Sequence, residues 1–491
     1  MVGKYKVILF RNRGNGEFEE VPFANDPDIS SNINPLAIAD LDGDGDLDIA
    51  AIRLAEFDRK EVVVFLNTGN ATFNRSTTPI RTSLFPLNLV DLDGDGDIDL
   101  LGNRPYYTDI HLLLNDGHGV FDSTPHYSLT IPEHDLHNDI SSIRDIGVSD
   151  VDHDSDLDLA VLQETLHRDQ RKHVGRFLVL LNDGQGVFDT PNVRNVETQN
   201  DQMYYGRLVF ADFDSNGDVD LAITKVGNLN SEHNFPLISP GSGRLFIFLN
   251  DKIGTFGDGM SYGELDGARA LAVADIDHDG DPDLAIANSE HSNDAGVEDD
   301  YLALFMNTGS GRFEEGPRIA ISANPAAVIS AFFDADRYVD LAVATLKGDD
   351  IVILHGQAEG TLSLAPVFKM DAASDLAAAD FNADGDIDLV VINNAQHGQV
   401  LVEYNKGDGT FKEAWRKWLG TRPQAVAAAD FDHNGAVDLA ITTDDFDVRI
   451  FYKRGSQFEE SAFRYAVPGR PTSLVTGDLN GDGFADLAIA S

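Results

Sequence analysis

Short apolar runs recur along the whole chain, and the same polar signals bracket them. Ile49-Ala-Ala-Ile52, Val64-Phe-Leu66, Leu112-Leu-Leu114, Leu271-Ala-Val-Ala274, Ala425-Val-Ala-Ala-Ala429 and Leu487-Ala-Ile-Ala490 are examples. Runs this short, bounded by Gly, Asn and Asp, read as buried strands rather than helices. One bracketing signal is a nine-residue aspartate-rich loop, beginning at Asp40, Asp91, Asp150, Asp212, Asp275, Phe332, Asp380, Asp430 and Asp478. The other, in most copies, is an asparagine-glycine turn ending in Phe, as in Asn67 to Phe73, Asn115 to Phe121 and Asn182 to Phe188. That is hairpin chemistry.

A unit is therefore strand A, acidic loop, strand B, variable connection, strand C, Asn-Gly hairpin and strand D. The loops start 48 to 63 residues apart. A four-stranded unit at that period predicts an all-β fold, a closed propeller of four-stranded antiparallel blades. Ala-rich strand A suits the crowded place beside the axis. The chain opens on Lys6-Val-Ile-Leu-Phe10 and Asn12 to Phe18, which read as strands C and D, and it ends on strand A, the loop 478–486 and strand B. Joining them makes one shared blade from residues 1–24 and 471–491, leaves no open edge, and predicts a single domain over 1–491 with nine blades.

The loops carry the chemistry. Carboxylates at alternate positions around a glycine turn raise one another's pKa or recruit a cation, and hard oxygen donors suit calcium. The helix-loop-helix calcium site is excluded. Its position 12 needs a bidentate Glu, whereas these loops carry Ala51, Gly102, Val161, Ile223, Ile286, Val343, Val391, Ile441 and Ile489 there. Position 6 is Gly in seven loops, which predicts a positive φ; Ser155 and Arg337 are the exceptions.

Charge supports the same reading. The formal net charge is −47, from 83 acidic and 36 basic residues, and 37 of the acids lie in the nine loops. Acidity is thus mostly loop chemistry, and loss of the ions is expected to bring self-repulsion and loss of strand A–B geometry. A halophilic origin is the competing explanation for few lysines and many aspartates. Either way the balance disfavours nucleic acid and anionic membranes. There is no cysteine, and no run approaches a membrane span.

The Asp-x-Asp-x-Asp-Gly-Asp-x-Asp-Leu loops and Asn-x-Gly-x-Gly-x-Phe turns resemble the FG-GAP/VCBS repeat family, the blade type of integrin α head domains and some lectins. The resemblance covers nearly the whole chain. It implies calcium held by side chains at loop positions 1, 3, 5 and 9 and by the carbonyl of position 7. Carried over, the positions are Asp40, Asp42, Asp44, Asp46 and Asp48; Asp91, Asp93, Asp95, Asp97 and Asp99; and Asp150, Asp152, Asp154, Asp156 and Asp158. Next come Asp212, Asp214, Asn216, Asp218 and Asp220; then Asp275, Asp277, Asp279, Asp281 and Asp283. The sixth loop keeps Asp334, Asp336 and Asp340, with Phe332 and Tyr338 out of pattern, so its site is expected to be the weakest. The last three offer Asp380, Asn382, Asp384, Asp386 and Asp388; Asp430, Asp432, Asn434, Ala436 and Asp438; and Asp478, Asn480, Asp482, Phe484 and Asp486. About eight to nine calcium ions are implied.

Strand alternation puts acidic loops and Asn-Gly hairpins on one face, and the variable connections on the other, where recognition is usually placed. The longest connections follow the second to fifth loops. Tyr106, Tyr107, His134, His137, His167, Arg168, Tyr204, Tyr205, His233 and Phe235 are the candidate ligand-binding residues there. Aromatic, imidazole and amide groups suit protein or glycan; the same residues also serve simply to pack loops down. His153, His278 and His433, at position 4 of their loops, are expected to point to solvent. No nucleophile elbow, P-loop or His-Glu-x-x-His is present, so the chain is read as a binding module rather than an enzyme. The alternatives are a lyase built on Tyr106, His134 and Arg168, or a structural spacer. Calcium chemistry favours an exported setting, yet Met1-Val-Gly-Lys-Tyr-Lys lacks a signal core. The reading is a monomeric propeller, or a domain of a larger exported chain, with a protein or glycan partner.

Overall fold

The computed structural model describes residues 7–14, 16–21, 33–54, 60–69, 72–80, 87–103, 110–122, 127–128, 139–167, 172–189, 192–196, 203–230, 237–238, 243–265, 267–288, 300–321, 325–345, 350–365, 368–370, 373–382, 384–393, 398–455, 457–467, 470–471, 473–480 and 482–490. They form nine antiparallel sheets, arranged as the blades of a nine-bladed β-propeller. The first blade runs Ile33–Ala39, Asp48–Leu54, Lys60–Asn67 and Phe73–Ile80, in that order across the sheet. Two blades gain a short fifth strand: Leu237–Ile238 pairs with Asp220–Asn230, and Phe368–Lys369 with Asp350–Gln357.

Strand B shows why the apolar runs are continuous. Ile49 and Ala51 pack with Val7, Leu9 and Ala488 of the ninth blade, while Ala50 and Ile52 pack with Leu100 and Leu113 of the second. Successive residues of a strand face opposite sides of the sheet. A blade wedged between two neighbours must therefore be apolar on both faces. The core is accordingly nine clusters, each shared by two consecutive blades. Each fully buried Leu, Ile, Val or Phe in them stabilises the ring by about 1.5–3 kcal/mol before entropy is counted. Strand D lies at the rim: in Phe313–Ala320 only Phe313 is buried.

Strands A pack against one another around the axis, as Ala268–Ala274 does against Pro325–Ala331. The ring closes through one antiparallel sheet built from both ends of the described chain. Val7–Asn12 lies between Phe18–Val21 and Asp486–Ala490, and Ser473–Gly477 completes the blade. Its register pairs Val7 with Ala490 and Phe10 with Leu487. Among the described residues no helix is long and apolar enough to cross a membrane.

Candidate metal loops and the blade latch

Each acidic loop is fastened at its two ends. Position 2 is a buried apolar anchor: Leu41, Leu92, Val151, Phe213, Ile276, Phe333, Phe381, Phe431 or Leu479. Position 9 is an aspartate with no exposed surface. In the first loop Asp48 Oδ2 accepts the Leu41 N–H at 2.7 Å and Oδ1 accepts the Asn67 N–H at 2.7 Å. One carboxylate thus ties strand A, strand B and the hairpin together. Its counterparts Asp99, Asp158, Asp220, Asp283, Asp340, Asp388, Asp438 and Asp486 repeat both contacts.

The loop interior is built from local turns. Position 1 accepts the N–H of position 6, as Asp40 does from Gly45 at 3.0 Å. Position 5 accepts that of position 7, as Asp44 does from Asp46 at 2.9 Å. Gly45 has φ 92° and Ser155 has φ 80°, as the glycine pattern predicts, and position 4 is left-handed as well at Gly43, Gly94, Ser215, His278 and His433, and even at His153 (φ 62°). A Cβ at Gly45 would meet no neighbour, so Gly45→Ala carries backbone strain alone. It is expected to cost about 1–2 kcal/mol, read as a lower melting temperature in calcium.

Positions 1, 3 and 9 converge. The groups Asp40/Asp42/Asp48, Asp91/Asp93/Asp99, Asp150/Asp152/Asp158 and Asp212/Asp214/Asp220 each offer ligand atoms within 4.8 Å of one another. Position 7 side chains lie outside these groups, with Asp97, Asp156 and Asp386 beneath the hairpin glycines Gly117, Gly184 and Gly407. Several of these converging oxygens are buried without any hydrogen-bond partner, Asp40 Oδ1, Asp150 Oδ1, Asp152 Oδ1 and Asp214 Oδ1, and so is Asp432 Oδ1 at position 3 of its loop. An orphaned, all-oxygen donor set of this kind fits a hard divalent cation. Where Asn replaces Asp at position 3, its amide turns inward. Asn480 Nδ2 donates to Asp486 Oδ2 at 3.0 Å, and Asn382 Nδ2 lies 3.5 Å from Asp388 Oδ1.

Burial pushes the position 9 carboxyls up, against the pull of their backbone donors. Asp48, Asp99, Asp158, Asp220, Asp388 and Asp438 rise to about 6, and Asp283 and Asp486 to about 7. A folded pKa above the unfolded value of about 3.9 means that protons bind the folded state more tightly. Their stabilisation is complete below about pH 4 and is lost as pH rises through 6 to 7. Demetallated protein is therefore expected to melt higher at pH 5 than at pH 8. A flat or inverted profile between those values would contradict it.

The hairpin asparagine does more than turn the chain. Asn115 Nδ2 donates to Ile98 O of its own loop at 3.1 Å and to Leu41 O, at position 2 of the preceding blade, at 2.7 Å. Asn12, Asn67, Asn182, Asn250, Asn307 and Asn405 make the same double contact. Asn67, bonded to Leu479 O, latches the first blade to the last. In the eighth blade Lys453 Nζ reaches Phe381 O instead, at 3.4 Å. A second contact joins position 4 of one loop to position 7 of the next. His153 Nε2 lies 2.8 Å from Asp218, Ser215 Oγ donates to Asp281, and His278 and His433 set their rings edge-on to Tyr338 and Phe484. These three histidines are exposed, as expected, and each also lies against the next loop.

Sequence reasoning read the asparagines as turn residues and missed the latch; the clue was one residue type recurring at one place in seven blades. Of the candidate ligand-binding residues, Tyr106, Tyr107, His134, His137, Arg168, His233 and Phe235 lie outside the described residues. His167 lies in the strand Asp158–His167, and Tyr204 and Tyr205 in Met203–Ala211.

A family described as FG-GAP-like repeat matches residues 1–51, 91–161, 333–391, 380–441 and 430–489, and the FG-GAP repeat matches 267–297. No curated protein matches the chain. Among solved structures, a putative 6-phosphogluconolactonase from Bacteroides uniformis is 11% identical, with 78% of this chain and 97% of that one covered at a TM-score of 0.39. A structure of BBS1N in complex with ARL6DN is 12% identical, covering 73% and 88%, at a TM-score of 0.38. Likeness at that level carries nothing about function.

Proposed function

This chain belongs to the FG-GAP-like repeat family, and from that premise we propose that it is a calcium-stabilised recognition module. Calcium in the acidic loops stiffens the ring, and the opposite face binds a protein or glycan. The observation that carries the calcium part is the set of buried carboxylate oxygens at positions 1 and 3 that no protein group satisfies. Positions 1, 3 and 9 would hold the ion, which supplies charge neutralisation and joins the ends of the loop. Millimolar calcium outside cells fills loops of modest affinity, which supports an exported setting. The recognition part rests on the contrast between the faces: one repeats the same loop and hairpin, while the other varies in length and composition, and variable loops on a rigid scaffold are where binding is placed.

The test is a glycan-array screen of the folded protein in millimolar calcium, repeated after chelation. A calcium-dependent hit on one sugar class, weakened by Tyr204→Ala or Tyr106→Ala at unchanged melting temperature, is the expected result for a lectin. No hit from calcium-loaded protein directs the search to protein partners. Equal loss of stability in every such variant would overturn the recognition reading of these residues.

A further inference from the structure

The sixth loop departs from the other eight in its backbone as well as its sequence. Phe332 replaces the first acid and is 55% exposed. Ala335 and Arg337, at positions 4 and 6, do not take the positive φ that those positions have in the other loops among the described residues. Gly356 stands where most blades carry the latch asparagine, though its N–H still reaches Asp340 Oδ1 at 2.8 Å. The residue before that place is a knob beneath the next blade's hairpin glycine: Leu66 under Gly119, Leu114 under Gly186, Leu249 under Gly311. In the sixth blade the knob is His355, under Gly409.

An imidazole at an apolar knob position needs a reason. Nδ1 of His355 is buried and has no hydrogen-bond partner. It lies 3.7 Å from Asp334 Oδ2 and 3.5 Å from Asp340 Oδ1. Both are too long for an N–H···O bond. They match two ligands sharing one ion at bond lengths of about 2.1 Å, for which tetrahedral geometry gives a separation of about 3.4 Å. All three ligand atoms lie within 4.8 Å of one another. Asp340 is further oriented by the Phe333 N–H at 2.7 Å, the kind of outer support that metal ligands use.

We propose that Asp334, Asp340 and His355 form a mixed nitrogen-oxygen site for a borderline divalent transition metal of the zinc and cobalt class. The proposal goes beyond the calcium reading, because the converging groups of the loops at Asp40, Asp91, Asp150 and Asp212 offer oxygen alone. Imidazole suits zinc and its neighbours, whereas carboxylate and carbonyl oxygens suit calcium. The blade thus loses one acid of a calcium loop and gains a nitrogen from strand C.

The test is titration of the full chain with cobalt(II) in millimolar calcium, which keeps the oxygen loops filled, followed by displacement with zinc. Wild type is expected to take up one cobalt per chain, with visible absorption bands that zinc abolishes. His355→Leu restores the knob that other blades carry, so it should fold as well in calcium but lose the cobalt signal. His355→Gln, polar and of similar size, should lose it too. Absence of the signal in wild type, or its persistence in both variants, would overturn the site.

Discussion

Chelation should lower the melting temperature of this protein by at least about 10 °C. Eight loops keep an acid at position 1. A ligand held at tenfold excess over its dissociation constant stabilises the folded state by about 1.4 kcal/mol per site. Sites in different blades share few partners and should add, giving about 11 kcal/mol, as large as the whole stability of a typical domain. A chain of this size unfolding as a unit has an entropy near 1 kcal/mol per degree, hence the shift. Self-repulsion of the uncovered carboxylates adds to it, and the effect should exceed that of an ionic-strength change alone. Calorimetry in calcium, in chelator and after calcium is restored checks it. An unchanged melting temperature in chelator would mean that the buried oxygens need no ion.

Asp486→Ala should cost about 2–6 kcal/mol, part of it independent of metal. Asp486 Oδ1 accepts the Asn12 N–H at 2.6 Å and Oδ2 the Leu479 N–H at 3.1 Å. Both donors are buried, and each one left unpaired costs about 1–3 kcal/mol. The position also sits in the sheet that joins the two ends of the chain, so its loss loosens ring closure itself. Asp42→Ala is the informative partner, because Asp42 lies in the loop interior and accepts its hydrogen bond from the loop's own Asp44 N–H. Melting of both variants with and without calcium separates the roles. The deficit of Asp42→Ala should vanish in chelator, whereas that of Asp486→Ala should persist. If both vanish, the position 9 aspartate is a ligand and not a structural tie.

Much of this was readable from the chain because the repeat is local. A nine-residue loop, a strand apolar on both faces and an Asn-Gly turn each declare themselves within a dozen residues, and nine copies average out the exceptions. Ser155 stands in for glycine at position 6 and still takes a positive φ of 80°. The second roles of the same residues were hidden. The Asn67 amide finds its acceptor at Leu479, 412 residues away. His153 finds Asp218 in the next loop. His355 looked like one more of 14 histidines until the fold placed it over two carboxylates.

By itself the sequence determined the blade, its period, the strand order and the acidic loops, since these follow from alternation, turn chemistry and carboxylate spacing along the chain. The tertiary structure decided which partner each latch holds and which oxygens are left without donors. It also decided where a histidine stands in for an acid. Those depend on closing the ring, which brings residues from neighbouring blades, and from opposite ends of the chain, within hydrogen-bond distance.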